Sequence, residues 1–136
     1  MQLKSLTYTS WANPGLKSED VDSILGSART NNPMQGLTGL LIFNGSAFLQ
    51  ILEGVEPAID ELVAVLRTDK RHSNISIRDE RPLTARSFPG WAMAYLRLEN
   101  DEFIGEHEIE RALGRDIPPS VRNMVRGLTH GLTRQA

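Results

Sequence analysis

The sequence predicts an α+β fold: one sheet, mostly antiparallel, with two helices on one face. Three observations carry this reading. Two apolar stripes, Val21, Ile24, Leu25, Ala28 and Ile59, Leu62, Val63, Leu66, repeat the i, i+3, i+4, i+7 spacing of a helix laid on a core. Short runs of strand-forming residues alternate with them. The stretch from Gly36 to Gly54, GLTGLLIFNGSAFLQILEG, is nearly apolar on both faces, which suits the middle of a covered sheet.

The elements follow in order. Residues 2–9 predict a first strand, with Leu6 and Tyr8 on one face and Leu3, Ser5 and Thr7 on the other. Asn13-Pro14-Gly15 is a turn signal. Ser18 is a candidate N-cap of the first helix, with Glu19 and Asp20 suited to the positive end of its dipole, and Asn31-Asn32-Pro33 stop it. Runs 37–43 and 47–52 flank Asn44-Gly45, which predicts a hairpin closed by a type I′ turn. Pro57 suits the first turn of the second helix, whose polar end is Asp69-Lys70-Arg71-His72. Ile75 and Ile77 predict a half-exposed fourth strand. Phe88-Pro89-Gly90 is a turn, and Trp91, Met93 and Tyr95 share one face of a fifth strand. Two short helices follow, one with Phe103, Ile104, Ile109 and Leu113, the other with Val121, Met124, Val125 and Leu128.

The order βαββαβ is the ferredoxin-like split βαβ unit, in which the first and third strands are central neighbours and both helices cover one face. Strands apolar on both faces need a second cover, and the C-terminal helical tail is the available candidate. The expected architecture is thus ferredoxin-like βαββαβ with a fifth strand, two helices on one sheet face and the tail on the other. Ile75, Ile77, Val121 and Val125 are expected near the exposed rim.

With 136 residues, 40% hydrophobic and 24% charged, the chain reads as one globular domain. A net charge of −2 argues against a nucleic-acid binder. The absence of cysteine removes disulfides, thiolate nucleophiles and Cys-ligated metal, and no metal site is predicted. No run reaches transmembrane length and the N-terminus lacks a signal-peptide core, so a cytoplasmic location is expected.

One residue breaks the apolar logic of the central hairpin. Gln50 sits between Phe48 and Leu52 on one strand face, and a buried amide without partners costs roughly 1–3 kcal/mol. Taken alone, it is more often satisfied by backbone or a buried water. The predicted topology, however, puts Tyr8 on the adjacent strand and lets the helix-end amide Asn32 approach. A phenol, two carboxamides and a gap between helices suit a planar heterocycle with polar edges, with Ile24 and Leu66 as apolar walls.

LTYTS with Tyr8, SARTNN ending in Asn32, the hairpin with Gln50, DKRHSN, and RSFPGWAMAY with Trp91 and Met93 occur in this order. In these motifs, from about Leu3 to Leu96, the chain resembles a BLUF domain, a blue-light sensor using flavin. The resemblance implies a noncovalent flavin, FAD or FMN, and photochemistry in place of enzyme catalysis. It implies that Tyr8 gives an electron and proton, and that Gln50 bridges Tyr8 and the flavin edge and then rearranges. It implies that Asn32 holds the pyrimidine edge, that Asn31 and His72 line the pocket, and that Arg71 and Arg29 are weaker candidates near the ribityl or phosphate end. Trp91 and Met93 would register the switch. Ala28 departs from the family, where several relatives carry a small hydroxyl residue.

Each of these residues also has a plainer reading. Tyr8 alone is more often a core tyrosine, and His72 a solvated helix-end charge. Trp91 and Met93 would be core filling, and Arg29 and Arg71 surface charges. Trp11, His107 and His130 carry no functional signal. The resemblance divides the chain into a flavin-binding domain, 1–98, and a helical extension packed on the sheet, 99–136. It looks like a short, stand-alone member signalling to an unidentified protein partner or through a homo-oligomer, without contact to nucleic acid or membrane. The enzyme alternative is an acylphosphatase-type hydrolase, but Asn13-Pro14-Gly15 offers no Arg beside the first strand. An RNA-recognition module would want aromatic residues on exposed strands, and these strands are aliphatic.

Overall fold

A computed structural model describes residues 2–17, 19–24, 36–87, 94–97, 117–123 and 125, with the backbone alone at 94–97. Strands β1 (Leu3–Ala12), β2 (Thr38–Phe43), β3 (Ala47–Val55), β4 (His72–Leu83) and β5 (Ala94–Arg97) form one sheet. Helical residues 19–24 (α1) precede β2, α2 (Glu56–Thr68) joins β3 to β4, and residues 119–123 (α3) are helical near the C-terminus. The strand order is β4-β1-β3-β2-β5. The first four strands are antiparallel to their neighbours, and β5 runs parallel to β2. This is the expected ferredoxin-like arrangement, with β1 and β3 side by side.

Strand alternation sorts the core. Leu6 and Tyr8 of β1, Leu41 and Phe43 of β2, and Phe48 and Leu52 of β3 form one buried cluster with Val21 of α1 and Ile59 of α2. Both helices therefore lie on one face, each through its stripe. Ile24, Leu62, Val63 and Leu66 pack against the same cluster. The Phe43 and Phe48 rings stack at 4.5 Å, next to the hairpin turn. On the opposite face Leu40, Ile42, Leu49 and Ile51 are also buried, so the sheet is covered on both sides.

Lys4 fixes the start of α2. Its ammonium lies 3.3 Å from Asp60, 3.6 Å from Glu56 and in contact with Glu80, which joins β1, α2 and β4. Burial alone would lower its pKa, but the hydrogen bonds it donates to Glu80 and Asp60 outweigh that and raise it. The carboxylates are half exposed or more, so the cluster orients α2 more than it stabilises the fold.

Glycine is needed where β2 meets β3. A Cβ on Gly39 would stand 1.9 Å from the Ile51 carbonyl oxygen, so no larger residue fits that ladder position.

Three expectations are corrected. The hairpin does not close in a type I′ turn: Gly45 has φ +97°, but Asn44 does not take a positive φ. Instead Asn44 Oδ1 accepts the N–H groups of Ser46 (3.0 Å) and Ala47 (2.8 Å), so its side chain caps a wider turn. The polar run after the second helix is its end only at Asp69, and the rest turns straight into the next strand. Asp69 is the C-cap, its N–H bonded to Leu66 O at 3.1 Å, and His72 already begins β4. The fourth strand with Ile75 and Ile77 is half exposed as expected; it runs from His72 to Leu83, with Asn74 at φ +57° and register shifts against β1. Of the four residues expected at an exposed rim, Val121 and Val125 are buried and Ile75 packs on the core, while Ile77 is exposed.

Candidate functional site

Tyr8 and Gln50 are direct partners across the antiparallel β1–β3 ladder, so their side chains stand together on the helix face. The Tyr8 hydroxyl donates to Gln50 Oε1 at 2.5 Å, and both residues are buried. The carboxamide also carries two N–H donors, so it can join the phenol to a further polar edge. Burial pushes the Tyr8 phenol far above its ordinary pKa, and the Asp69 charge pushes the same way. The phenol therefore keeps its proton at every physiological pH.

His72 closes the side of this pair. Its Nε2 faces the Leu66 carbonyl at 3.0 Å, and a carbonyl can only accept, so Nε2 carries the proton. In the neutral ring Nδ1 then accepts from the Ser10 hydroxyl at 2.7 Å. These two bonds tie the end of α2 to β1 and fix the ring against Phe48, edge to face at 6.0 Å.

The mouth is charged. Arg71 grips Asp69 with Nε (2.9 Å to Oδ1) and Nη2 (2.7 Å to Oδ2), and Nη1 reaches Ser23 of α1 at 3.4 Å. Those hydrogen bonds hold the Asp69 carboxyl below its usual range. The turn 69–71 is docked on the β1–α1 loop by Asn13, whose N–H bonds Arg71 O at 3.1 Å and whose side chain bonds Lys70 O.

Tyr8, Leu41 and Phe48 from the sheet, Ile24 from α1, Leu66 and Asp69 from α2 and its C-cap, and His72 at the start of β4 line one slot. Its volume is about 10 Å³, enough for about one water. A larger cleft of about 460 Å³ lies by the hairpin turn, between Trp11, Leu16, Lys17 and Phe43. The slot is the better candidate because a buried phenol, a carboxamide and an imidazole converge beside apolar walls there.

Of the sequence-predicted residues, the structure brings Tyr8, Gln50, Ile24, Leu66 and His72 together and places Arg71 at the mouth, engaged with Asp69. Asn31, Asn32, Arg29, Trp91 and Met93 lie outside the described residues. Sequence reasoning missed Ser10, Leu41, Phe48 and Asp69. Ser10 and Phe48 were findable, each lying two residues from Tyr8 or Gln50 on the same strand face.

The residues present fit a flavin ring in chemistry: an amide edge at the floor, aliphatic walls from two helices and charged groups at the mouth. Comparison with known proteins points the same way. The BLUF family model, described as "Sensors of blue-light using FAD", matches residues 3–94. The photoactivated adenylate cyclase subunit beta of Euglena gracilis is 33% identical over 92 residues, covering 67% of this chain and 11% of that protein. The chain thus spans about a tenth of that relative. The dark-state structure of BlrB, a BLUF protein, is 34% identical with a TM-score of 0.73, covering 96% of this chain and 98% of that one. The structure of Klebsiella pneumoniae BlrP1 with FMN and cyclic diGMP is 30% identical with a TM-score of 0.80, covering 95% of this chain and 35% of that one. With its paired Tyr8 and Gln50 beneath two helices, this chain belongs to the BLUF family of blue-light sensors using FAD.

Proposed function

We propose that this chain is a blue-light photoreceptor and not an enzyme, with the Tyr8–Gln50 pair as its light-sensitive element. The observation that carries the reading is the buried hydrogen bond from Tyr8 to Gln50 Oε1 at 2.5 Å. When bound, the flavin supplies the blue-light absorption and accepts an electron from the protein. Ile24 and Leu66 would wall the ring, Gln50, Asn31, Asn32 and His72 would meet its polar edge, and Arg71 and Arg29 would face its ribityl or phosphate end. Because the slot is narrow, α1 and α2 must stand further apart to admit it.

The chain's own groups set the proton chemistry. Tyr8 is buried and protonated, so its electron is lost easily only if its proton moves as well. Gln50 Oε1 is the acceptor in place to receive that proton or to relay it. An amide offers one acceptor and two donors, so rotation or tautomerisation at Gln50 exchanges what it presents to Tyr8 and to the flavin. Water cannot blur the change, because Gln50 is 5% exposed. Trp91 and Met93 would register it.

The reading divides the chain into a flavin-binding domain, 1–98, and a helical extension, 99–136, packed on the sheet face away from α1 and α2. Buried Ile117, Val121 and Val125, none of them in the cluster under α1 and α2, support that division. The output is a population shift read by a second copy in a homo-oligomer and by a downstream protein partner, in the cytoplasm. Relatives with adenylate cyclase names show that such domains accompany effectors. The family description names FAD and a similar structure holds FMN, so both are candidates.

The test is reconstitution. Purified protein titrated with FAD and with FMN should bind one flavin per chain, release it on denaturation, and show a small reversible red shift under blue light. Protein that binds neither flavin overturns the reading.

A further inference from the structure

On the face of the sheet away from the slot, one buried charge gathers chain segments distant in sequence. Glu53 lies three residues beyond Gln50 on β3, on the opposite face by strand alternation, and is 1% exposed. Its carboxylate accepts the Thr38 hydroxyl of β2 at 3.2 Å and the Ser87 N–H at 2.7 Å. Arg86 completes the arrangement. Its Nη1 donates to Thr38 Oγ1 at 2.8 Å and to the Glu53 carbonyl at 3.1 Å, and its Nη2 donates to the Gly36 carbonyl at 2.6 Å. Arg86 and Ser87 belong to the connection from β4 to β5, so the lead-in to β5 is bonded to β3 and to the start of β2.

Adjacent β2 and β3 would pair through their backbones without any of this. A buried carboxylate is costly unless hydrogen-bonded, and bonds that share the Thr38 hydroxyl reinforce one another, so removing Arg86 weakens the whole arrangement. Buried polar networks of this kind serve position more than stability, since apolar residues of similar volume would stabilise as well. The segment held here is the start of the connection to β5, which among the described residues pairs with β2. Gln50 and Glu53 share one short strand, so a change in the hydrogen bonding of the first that moves β3 also moves the carboxylate that holds Ser87.

We propose that Glu53 and Arg86 are positioning residues that couple β3, the strand of Gln50, to the strand β5. The light-driven half of this proposal rests on the photoreceptor reading above, whereas its dark-state half stands without it.

Hydrogen exchange read by mass spectrometry on the peptide containing Ala94–Arg97 tests both halves, in wild type, Arg86→Ala and Thr38→Val. In the dark, the β5 amides should exchange about tenfold faster in Arg86→Ala, and by a smaller factor in Thr38→Val, which loses only the relaying hydroxyl. In flavin-loaded protein the red shift should survive in both variants, while the light-minus-dark difference in β5 exchange falls to less than about half of wild type. If both variants exchange within about twofold of wild type in the dark, the coupling is overturned. It is equally overturned if the light-driven β5 difference persists in full in Arg86→Ala. Should Arg86→Ala not fold, Thr38→Val decides alone, by the same twofold limit. A wild type without flavin or red shift refutes the photoreceptor reading instead, and the dark comparison still judges the network.

Discussion

Replacing Tyr8 by Phe removes one oxygen from the centre of the site. The ring is 2% exposed and packs in the cluster with Leu6, Phe48 and Ile59, so the substitution leaves its apolar contacts in place. What disappears is the 2.5 Å bond to Gln50, whose Oε1 is left in a residue 5% exposed. Losing one buried hydrogen bond costs about 0.5–1.5 kcal/mol net. A net loss of about 1 kcal/mol follows, a fall in Tm of about 2–6 °C for a domain of this size. Thermal unfolding by circular dichroism measures it, and a flavin titration and a light-minus-dark spectrum on the same preparation measure function. The variant should bind flavin within about threefold of wild type, because the walls at Ile24 and Leu66 are untouched, and it should show no red shift. A full red shift in Tyr8→Phe would refute the assignment of Tyr8 as donor. A loss above about 3 kcal/mol would refute the claim that only the hydroxyl matters.

Other outcomes follow from the same geometry. The Tyr8 phenol is raised in the folded state, so its contribution to stability is full below about pH 10, where the unfolded phenol titrates, and is lost as pH rises beyond it; alkaline unfolding should begin at a higher pH in Tyr8→Phe. Asp69 is lowered by Arg71, so that contribution is present above about pH 4 and lost as pH falls through the depressed value. Arg71→Ala should therefore flatten the acid limb of stability against pH, read by urea midpoints at several pH values. Ile59, fully buried between α2 and the sheet, should cost about 2–5 kcal/mol as Ile59→Ala, read as a lowered urea midpoint. Gln50→Leu should keep flavin but lose the photocycle, since no amide remains to exchange its hydrogen bonds; a persisting red shift would contradict this.

The floor of the site was legible in the sequence because strand alternation and split βαβ topology are rigid rules. Tyr8 and Gln50 had to face the helices together once β1 and β3 were neighbours, and the stripes through Ile24 and Leu66 had to face them. The side of the site was not. Asp69-Lys70-Arg71-His72 looked like a solvated helix end by charge, but the Asp69 N–H closes the helix, its carboxylate turns back to Arg71, and the chain re-enters the sheet at His72. Side-chain capping of this kind depends on local geometry that composition does not show. Asn44 misled for the same reason, since its side chain caps the turn while its backbone stays out of the left-handed region. Val121 and Val125 were misplaced because a short stripe reads alike whether it is exposed or buried. Glu53 carried a faint signal, a charge on a face otherwise filled by Leu49 and Ile51. Its partners Arg86 and Ser87 lie far along the chain, and no local pattern finds them.

The central claim is that light rearranges the hydrogen bonds of Gln50 beside Tyr8. Its most direct test is the light-minus-dark infrared difference spectrum of the flavin-loaded protein, with and without isotope-labelled glutamine. The account predicts glutamine side-chain bands that shift with the label, vanish in Gln50→Leu, and decay at the rate at which the visible red shift recovers. A difference spectrum that shows flavin bands alone, unchanged by the label while the red shift is present, would contradict it.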